Sequence, residues 1–250
     1  MSGFAEDDLS RDAFLGGKLH LYQPRKGYRA GIDAVLLSAS IQAEKNAQVL
    51  ELGCGVGTAI LCLGARIPGL HLTGVEREEA FAELARRNGA DTLDVVTADI
   101  DALPLTLRQR QFDHVMANPP YYDRTASIRS DDPAREAAHG AETPLATWVK
   151  IAAKRLAPKG QAHFIHRIAA LPDMLRALPP SLGSVEVLPL AARKNRAPDR
   201  FILRARKNGR ADFILHPALI LHEGDSHDHA GNAYVPQVAA VLRDGAPLIF

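Results

Sequence analysis

The residues best suited to chemistry in this sequence of 250 residues are Asn118-Pro119-Pro120-Tyr121. The side-chain oxygen of Asn118 and the backbone carbonyl of Pro119 are hydrogen-bond acceptors, so each can hold one hydrogen of an amino group. An exocyclic amine on a heteroaromatic ring is a poor nucleophile because its lone pair is delocalised. Two fixed acceptors would aim that lone pair at an electrophilic methyl group, and the prolines restrict the backbone that carries the acceptors.

Tyr121 adds an aromatic ring on which a planar base can stack after it has been flipped out. The tetrad therefore predicts methyl transfer to the amine of a base, with Asn118, Pro119, Pro120 and Tyr121 as the catalytic residues. Positioning and electrostatic stabilisation can accelerate such a reaction, so we expect no metal and no covalent nucleophile. The simpler alternative is a rigid turn after a strand, which Asn and Pro commonly build.

A second motif, Gly53-Cys54-Gly55-Val56-Gly57, follows a short apolar run and precedes a helical pattern. A glycine turn at a helix N-terminus presents free backbone N–H groups to a ligand. The dinucleotide fingerprint G-x-G-x-x-G would place glycine at position 58, where Thr58 stands, so a dinucleotide is disfavoured. Glu76 and Asp99 end the next two predicted strands and can bind ribose hydroxyls and an adenine amino group. The alternatives are an ordinary tight turn and two helix caps.

The elements around these motifs alternate between strand and helix, which predicts a doubly wound α/β sheet. The predicted strands are 48–52, 70–76, 93–98, 112–117, 161–165, 185–190, 201–205 and 213–215. The predicted helices are 32–43, 59–67, 78–89, 144–156 and 235–242. Both motifs follow strands, so we expect them to meet at the carboxyl edge of the sheet, where α/β proteins bind ligands.

Composition limits the class of protein. Hydrophobic residues make up 46% and charged residues 24%, as in ordinary globular domains. The polar start and the lack of any run of roughly 18 apolar residues predict neither export nor membrane insertion. The two cysteines fit a cytoplasmic location. We expect one domain, 1–250, with an N-terminal segment and helix 1–46, a ligand-binding and catalytic core 47–190, and basic strands and a tail 191–250.

Basic residues are concentrated in one segment, although the net charge is only +1. Between positions 193 and 210 there is a single acid, Asp199, and the basic residues are Arg193, Lys194, Arg196, Arg200, Arg204, Arg206, Lys207 and Arg210. Such a cluster can neutralise phosphates. RNA contact is therefore predicted for Arg193, Lys194, Arg196 and Arg200, together with Tyr122. The alternative is the solvated face of an antiparallel strand.

Two polar segments have less specific patterns. The loop 123–143 is long enough for an active-site lid. The stretch 222–229 contains metal-ligand types, but its polar context favours a solvated loop, and no metal site is assigned. His163 and His166, on a presumed buried strand, are interpreted as structural histidines, and Trp148 as a core residue.

The two motifs resemble those of class I methyltransferases, which use S-adenosylmethionine. The Asn118 tetrad is similar to that of the amino-methylating branch, whose members act on adenine N6, guanine N2 or glutamine N5. Within that branch, residues 28–37, Tyr-Arg-Ala-Gly-Ile-Asp-Ala-Val-Leu-Leu, are similar to a segment of the bacterial tRNA(Val) adenine-N6 methyltransferases, as is the doubled tyrosine 121–122. One departure from the family pattern is 223–232, which resembles an insertion.

The resemblance implies a mostly parallel, seven-stranded, Rossmann-like sheet with helices on both faces, and S-adenosylmethionine as cofactor. The residues that it assigns to cofactor binding are Tyr28, Gly31, Asp33, Glu51, Gly53, Gly55, Gly57, Glu76, Asp99, Ile100 and Asn118. Among them, Glu51 and the glycines would hold the methionine portion, Glu76 the ribose, and Asp99 would lie near the adenine.

The substrate that the resemblance implies is adenine N6 in tRNA, near the anticodon. Guanine N2 of RNA stays open because the same two acceptors would hold a guanine amine. Glutamine N5 of a protein is less favoured, because that branch normally carries a sizeable helical domain before the glycine turn, and only about one helix precedes it here. A non-catalytic RNA-binding module with the same fold is the alternative from another class.

Overall fold

The computed structural model describes residues 3–121, 143–224 and 234–250. The strands are β1 Leu9–Phe14, β2 Leu19–Pro24, β3 Gln48–Leu52, β4 His71–Glu76, β5 Leu93–Thr97, β6 Phe112–Ala117, β7 Leu156–Arg167, β8 Leu182–Ala191, β9 Arg200–Lys207, β10 Ile214–Leu215 and β11 Leu219–Ile220. The α-helices are α1 Ile32–Ala39, α2 Thr58–Arg66, α3 Glu79–Gly89, α4 Leu105–Arg108, α5 Leu145–Arg155, α6 Leu171–Ala177 and α7 Pro236–Ala239.

Strands β3 to β11 form one sheet in the order β10-β8-β9-β7-β6-β3-β4-β5, with β11 also paired to β8. The pairing is parallel except at β9, which runs antiparallel to β7 and β8. The expected α/β sheet, mostly parallel, is confirmed, and the two-residue strands β10 and β11 extend its seven long strands at the β8 side. The strand order reverses at β3, because the chain builds β4 and β5 on one side and then returns to β6 on the other.

The core explains why most residues of β3 are apolar. Val49, Leu50 and Leu52 are fully buried. Val49 packs with residues of α1 and α2, whereas Leu50 and Leu52 pack with residues of α5 on the opposite face. A parallel strand covered on both faces has no solvent side to make polar, so its sequence lacks alternation.

A hairpin that the sequence patterns did not indicate precedes α1. Strands β1 and β2 pair antiparallel in a sheet of their own. The side chain of Asn88, on α3, accepts from Tyr22 N at 2.8 Å and donates to Tyr22 O at 3.0 Å. It also donates to Val56 O at 3.0 Å. Asn88 therefore fastens the hairpin directly to the glycine turn.

Helix α1 ends at Ala39 rather than at the predicted residue 43. Ser38 and Ser40 donate their hydroxyls to the carbonyls of Val35 and Leu37, at 2.8 and 2.7 Å. Arg66 donates to Ser38 O at 2.9 Å. These donors satisfy carbonyls at the helix end, which allows the chain to leave the helix one turn early.

Strand β7 begins at Leu156, five residues before the predicted start at 161. Its pairing with β6 shifts register between Phe112 and His114, so the breakers Pro158 and Gly160 fall within an irregular part of the strand. Between these two register pairs β7 advances five residues while β6 advances two. Pro158 and Gly160, which the sequence indicates as breakers after the preceding helix, do follow that helix, which ends at Arg155, but they lie inside β7.

Candidate active site

The two sequence motifs meet where the strand order reverses. Leu52 of β3 is the register partner of Ala117 of β6. Gly53 and Asn118 directly follow these two residues, so the glycine turn and the tetrad leave the sheet at the same place. Asn118 is half-buried there. This crevice, at the carboxyl edge beside the switch point, is where open α/β sheets bind ligands.

The glycine turn requires glycine for both backbone and space. Gly53, Gly55 and Gly57 have φ values of 65°, 55° and 85°, in the left-handed region that favours glycine. A Cβ on Gly53 would lie 2.6 Å from the ring of Trp148. The indole of Trp148 is buried and donates to Thr143 O at 3.2 Å, so it cannot easily give way. Trp148, interpreted from the sequence as core, thus also supports the turn.

Two carboxylates border the turn. Glu51 is buried and accepts from Ile60 N at 3.0 Å. Burial raises the pKa of Glu51 to about 8, even though the bond from Ile60 lowers it, and the charge of Glu76 raises it further. Glu76 accepts from Gly55 N at 2.9 Å and from Glu78 N at 3.0 Å. A cationic group placed in the crevice would therefore be stabilised by Glu51 and would favour its ionised form.

Asp99 and its neighbour Ile100 follow β5 at the same edge. Asp99 accepts from Asp101 N at 3.3 Å and caps the 3-10 helix Ile100–Ala102, the capping function considered from the sequence. Ile100 is buried and packs in the core with α5 residues. The cap orients the Asp99 carboxylate without excluding contact with a ligand.

The segment 28–33 lies beside the glycine turn, where Tyr28 approaches Gly55. The ring of Tyr28 is 60% exposed, and its Cε1 would be 4.0 Å from a Cβ on Gly55. Desolvation of the hydroxyl raises the pKa of Tyr28, and the charges of Glu51, Asp33 and Glu76 raise it further. Gly31 is the N-terminal cap of α1. The carboxyl groups of Glu51, Asp33 and Glu76 are therefore all close enough to influence the Tyr28 hydroxyl.

Asp33 uses both of its carboxylate oxygens within the protein. Tyr121 donates its hydroxyl to Asp33 Oδ2 at 2.8 Å. Arg200 forms an ion pair with Asp33 Oδ1. Asp33, implied to bind cofactor, and Arg200, predicted to bind RNA, are thus joined to the tetrad.

Sequence reasoning missed the support that His166 gives to the tetrad. Its ring meets the ring of Tyr121 edge-on, with centroids 4.9 Å apart. The ring of His166 also accepts from Arg167 N at 2.9 Å. The signal that could have located it is the register of β7 beside β6, where Phe164 pairs with Ala117. Such a register depends on knowing the strand order.

The predicted RNA-binding residues separate into different environments. Lys194 and Arg196 are exposed in the connection from β8 to β9, at the carboxyl edge. Arg193 is buried and donates to the backbone carbonyls of Glu223 and Gly224, at 2.6 and 3.1 Å. Arg200 is paired with Asp33, as described above. Tyr122, the loop 123–142 and residues 225–229 lie outside the described residues.

Comparison with known proteins agrees with this geometry. A family model described as a methyltransferase domain matches residues 49–128. A tRNA1(Val) (adenine(37)-N6)-methyltransferase of Shewanella baltica is 30% identical over 181 residues, covering 68% of this chain and 74% of the relative. The protein of the same description from Actinobacillus succinogenes is 31% identical and covers 62% of this chain and 67% of the relative.

A solved structure shares the fold. The crystal structure of a predicted O-methyltransferase from Agrobacterium tumefaciens superposes with a TM-score of 0.70 at 24% identity, covering 87% of this chain and 99% of the other. The order of the strands, the glycine turn and the extent of similarity to the two relatives lead to one conclusion. The chain belongs to the tRNA1(Val) (adenine(37)-N6)-methyltransferase family and is an S-adenosylmethionine-dependent methyltransferase.

Proposed function

We propose that this enzyme transfers a methyl group from S-adenosylmethionine to N6 of an adenine in tRNA, beside the anticodon. The observation that carries the proposal is the meeting of Asn118 and Pro119 with the glycine turn at the switch point of the sheet. The names of the two relatives support tRNA and adenine as the substrate.

The residues of the crevice fit the cofactor. S-adenosylmethionine supplies, when bound, an electrophilic methyl group on a positively charged sulfur, and it also carries an amino group. The carboxylate of Glu76 borders the glycine turn, and a positive charge beside Glu51 would favour the ionised form of that group as well. Glu51 and the turn would hold the methionine portion, Glu76 the ribose hydroxyls, and Asp99 the region of the adenine. Tyr28 would cover the turn from the solvent side.

The tetrad supplies the other half of the reaction. The oxygens of Asn118 and Pro119 would accept the two amine hydrogens and so orient the nitrogen lone pair. Tyr121 would hold the flipped-out base by stacking, a contact worth about 1–3 kcal/mol in nucleic-acid complexes. The described site needs no covalent nucleophile, since the amine proton can pass to solvent after transfer. The same oxygens would accept a guanine or glutamine amine, and the relatives favour adenine.

The partner follows from the same proposal. Lys194 and Arg196, exposed beside the crevice, would contact tRNA phosphates. None of the described helices has the length and apolar character that crossing a membrane requires. A tRNA substrate and two free, buried cysteines support a cytoplasmic location.

The test is transfer of labelled methyl from S-adenosylmethionine to unmodified tRNA, followed by nucleoside analysis. We expect N6-methyladenosine with the native enzyme. Asn118→Ala should lower kcat about 100-fold or more, by analogy with the loss of one positioned hydrogen-bonding group, and this effect should be much larger than any loss of cofactor affinity. Arg206→Gln, at the opposite edge of the sheet, is the control for a substitution far from the crevice, and it should keep native kcat.

Four outcomes would contradict parts of the proposal. N2-methylguanosine would assign the guanine alternative, and label in a protein glutamine would assign the glutamine alternative. Cofactor binding without transfer to any acceptor would favour a non-catalytic RNA-binding role. Full activity in Asn118→Ala would reject the positioning mechanism itself.

A further inference from the structure

Three side chains from two separate elements, α1 and β7, lie against Tyr121. Asp33, from the first turn of α1, accepts the hydroxyl hydrogen. His166, from the end of β7, packs its ring edge-on against Tyr121, with the ring centroids 4.9 Å apart. The guanidinium of Arg167 lies 5.1 Å from the centre of the Tyr121 ring. The plane of the tyrosine is therefore defined from several directions before any substrate arrives.

Arg200, at the start of β9, is connected to Tyr121 through Asp33. Its guanidinium pairs with Asp33 Oδ1 while Tyr121 occupies Oδ2, so one carboxylate joins the two side chains. The side chains of Arg200 and Asp33 are only 26% and 16% exposed. An ion pair so shielded is less screened than a surface pair, and loss of one partner leaves the other charge poorly compensated.

We propose that Arg200 is a positioning residue for methyl transfer, which acts through Asp33 to hold Tyr121, and is not a contact to RNA phosphate. The inference rests on the proposed function, because it assumes that Tyr121 receives the base. A stacked base follows the plane of the ring beneath it, so a tyrosine free to turn would move the amine away from Asn118 and Pro119. Misplacement of reacting atoms by about 1 Å can cost up to 100-fold in rate.

The first experiment separates the two roles of Arg200 through kinetics. Arg200→Gln should lower kcat for tRNA by about 10-fold and leave the salt dependence of tRNA affinity unchanged. Arg200→Lys should recover part of the loss, because an ammonium can still pair with Asp33. Tyr121→Phe removes the hydroxyl that Asp33 holds, so the double variant with Arg200→Gln should be no slower than the slower single variant.

Two controls calibrate these readouts. Lys194→Gln, on the same edge, should reduce the slope of log affinity against log salt by about 0.7–0.9, as expected for one lost phosphate contact. Arg206→Gln removes the same residue type at the far end of β9 and should change neither kcat nor the slope. If Arg200→Gln behaves like Lys194→Gln, with a smaller slope and native kcat, Arg200 is an RNA contact and the proposal is overturned.

A second measurement keeps this inference separate from the proposed function. The coupling of Tyr121→Phe with Arg200→Gln in the free energy of unfolding needs no substrate. We expect non-additive effects, because both side chains act on one carboxylate. Additive effects would overturn the positioning network, whatever the substrate. An inactive native enzyme on tRNA with non-additive unfolding would instead reject the proposed function and leave the network in place.

Discussion

At the scale of a single residue, Glu51 shows how the fold sets chemistry. Strand β3 carries this carboxyl group into the core just before the glycine turn begins. Within the described part of the chain, the carboxyl group accepts one hydrogen bond, from Ile60 N. Because water is excluded, the charged form is disfavoured and the pKa rises to about 8. A cationic ligand beside Glu51 would favour the ionised form and lower this pKa again.

The raised pKa of Glu51 should make the free energy of unfolding depend on pH. With a folded pKa of about 8 against the usual 4.5, the folded state holds the Glu51 proton more tightly than the unfolded state. The contribution of Glu51 to the free energy of unfolding therefore falls as pH rises from about 4.5 to 8. Glu51→Gln removes that contribution, so the difference between native and variant stability should decline across this window in urea unfolding at several pH values.

The quantity to compare is the difference in the free energy of unfolding between the native protein and Glu51→Gln, because contributions that both proteins share cancel in it. Burial lowers the pKa of His114 to about 4, so His114 contributes the opposite slope between about pH 4 and 6.5 in both proteins. A variant at the exposed Glu83 controls for removal of a carboxylate elsewhere. Parallel stability curves for native protein and Glu51→Gln would contradict the raised pKa.

At the scale of elements, the glycine turn and α5 form one unit. The turn can approach Trp148 only because position 53 lacks a side chain. The indole in turn fills the space beneath the turn, and its hydrogen bond to Thr143 O fixes its orientation. The turn that presents N–H groups to the ligand is therefore supported by a helix that lies more than ninety positions further along the chain.

Gly53→Ala should reveal this support when it is compared with Gly69→Ala. Both glycines have positive φ, 65° and 87°, so each alanine costs about 1–2 kcal/mol of left-handed strain. At Gly69 the new methyl would meet only the flexible side chain of Lys45, whereas at Gly53 it would overlap the buried ring of Trp148. We expect an additional loss of about 1–3 kcal/mol and weaker cofactor binding for Gly53→Ala alone.

Equilibrium unfolding and calorimetric titration with S-adenosylmethionine measure these two effects. Equal destabilisation by the two alanines would show that Trp148 does not restrict the turn. Unchanged cofactor affinity in Gly53→Ala would show that the conformation of the turn does not determine cofactor binding.

At the scale of the whole molecule, strand β9 divides the basic segment in two. Arg200 lies opposite Arg167 of β7 in the strand register, at the carboxyl edge. Arg206 lies opposite Gln161, toward the other edge. Seven steps along a strand from Arg200 to Lys207 span roughly 23 Å. Residues that form one cluster in the sequence therefore face opposite edges of the sheet, and only those at the carboxyl edge lie beside the crevice.

This division predicts unequal effects on tRNA affinity. Replacing Lys194 and Arg196 by Gln should reduce the slope of log affinity against log salt by about 1.4–1.8, because two phosphate contacts would be lost. The same change at Arg206 and Arg210 should leave the slope unchanged, since these side chains are exposed at the opposite edge. Equal effects of the two pairs, measured by filter binding over a range of salt, would indicate that tRNA reaches both edges.

The sequence by itself determined the features that depend on neighbouring residues. Apolar runs, glycine turns and proline restrict the backbone locally, and they located the long strands of the sheet and the two motifs at its carboxyl edge. The β1–β2 hairpin was not predicted, because the half-buried positions of β1 include the polar residues Ser10 and Asp12, so apolar and polar residue types do not alternate along it. The assignment of individual site residues to ligands stays a prediction.

Only the tertiary structure decided which distant side chains meet. Asp33 and Arg200 are 167 positions apart, and their contact requires β9 to lie between β7 and β8 and to begin at the carboxyl edge. Likewise Arg193 and Lys194 are adjacent in the sequence, yet one is buried on backbone carbonyls and the other is exposed. Strand order and register are set by the packing of the whole core, and no local pattern encodes them, so the partner of a charged residue emerges only when the sheet is assembled.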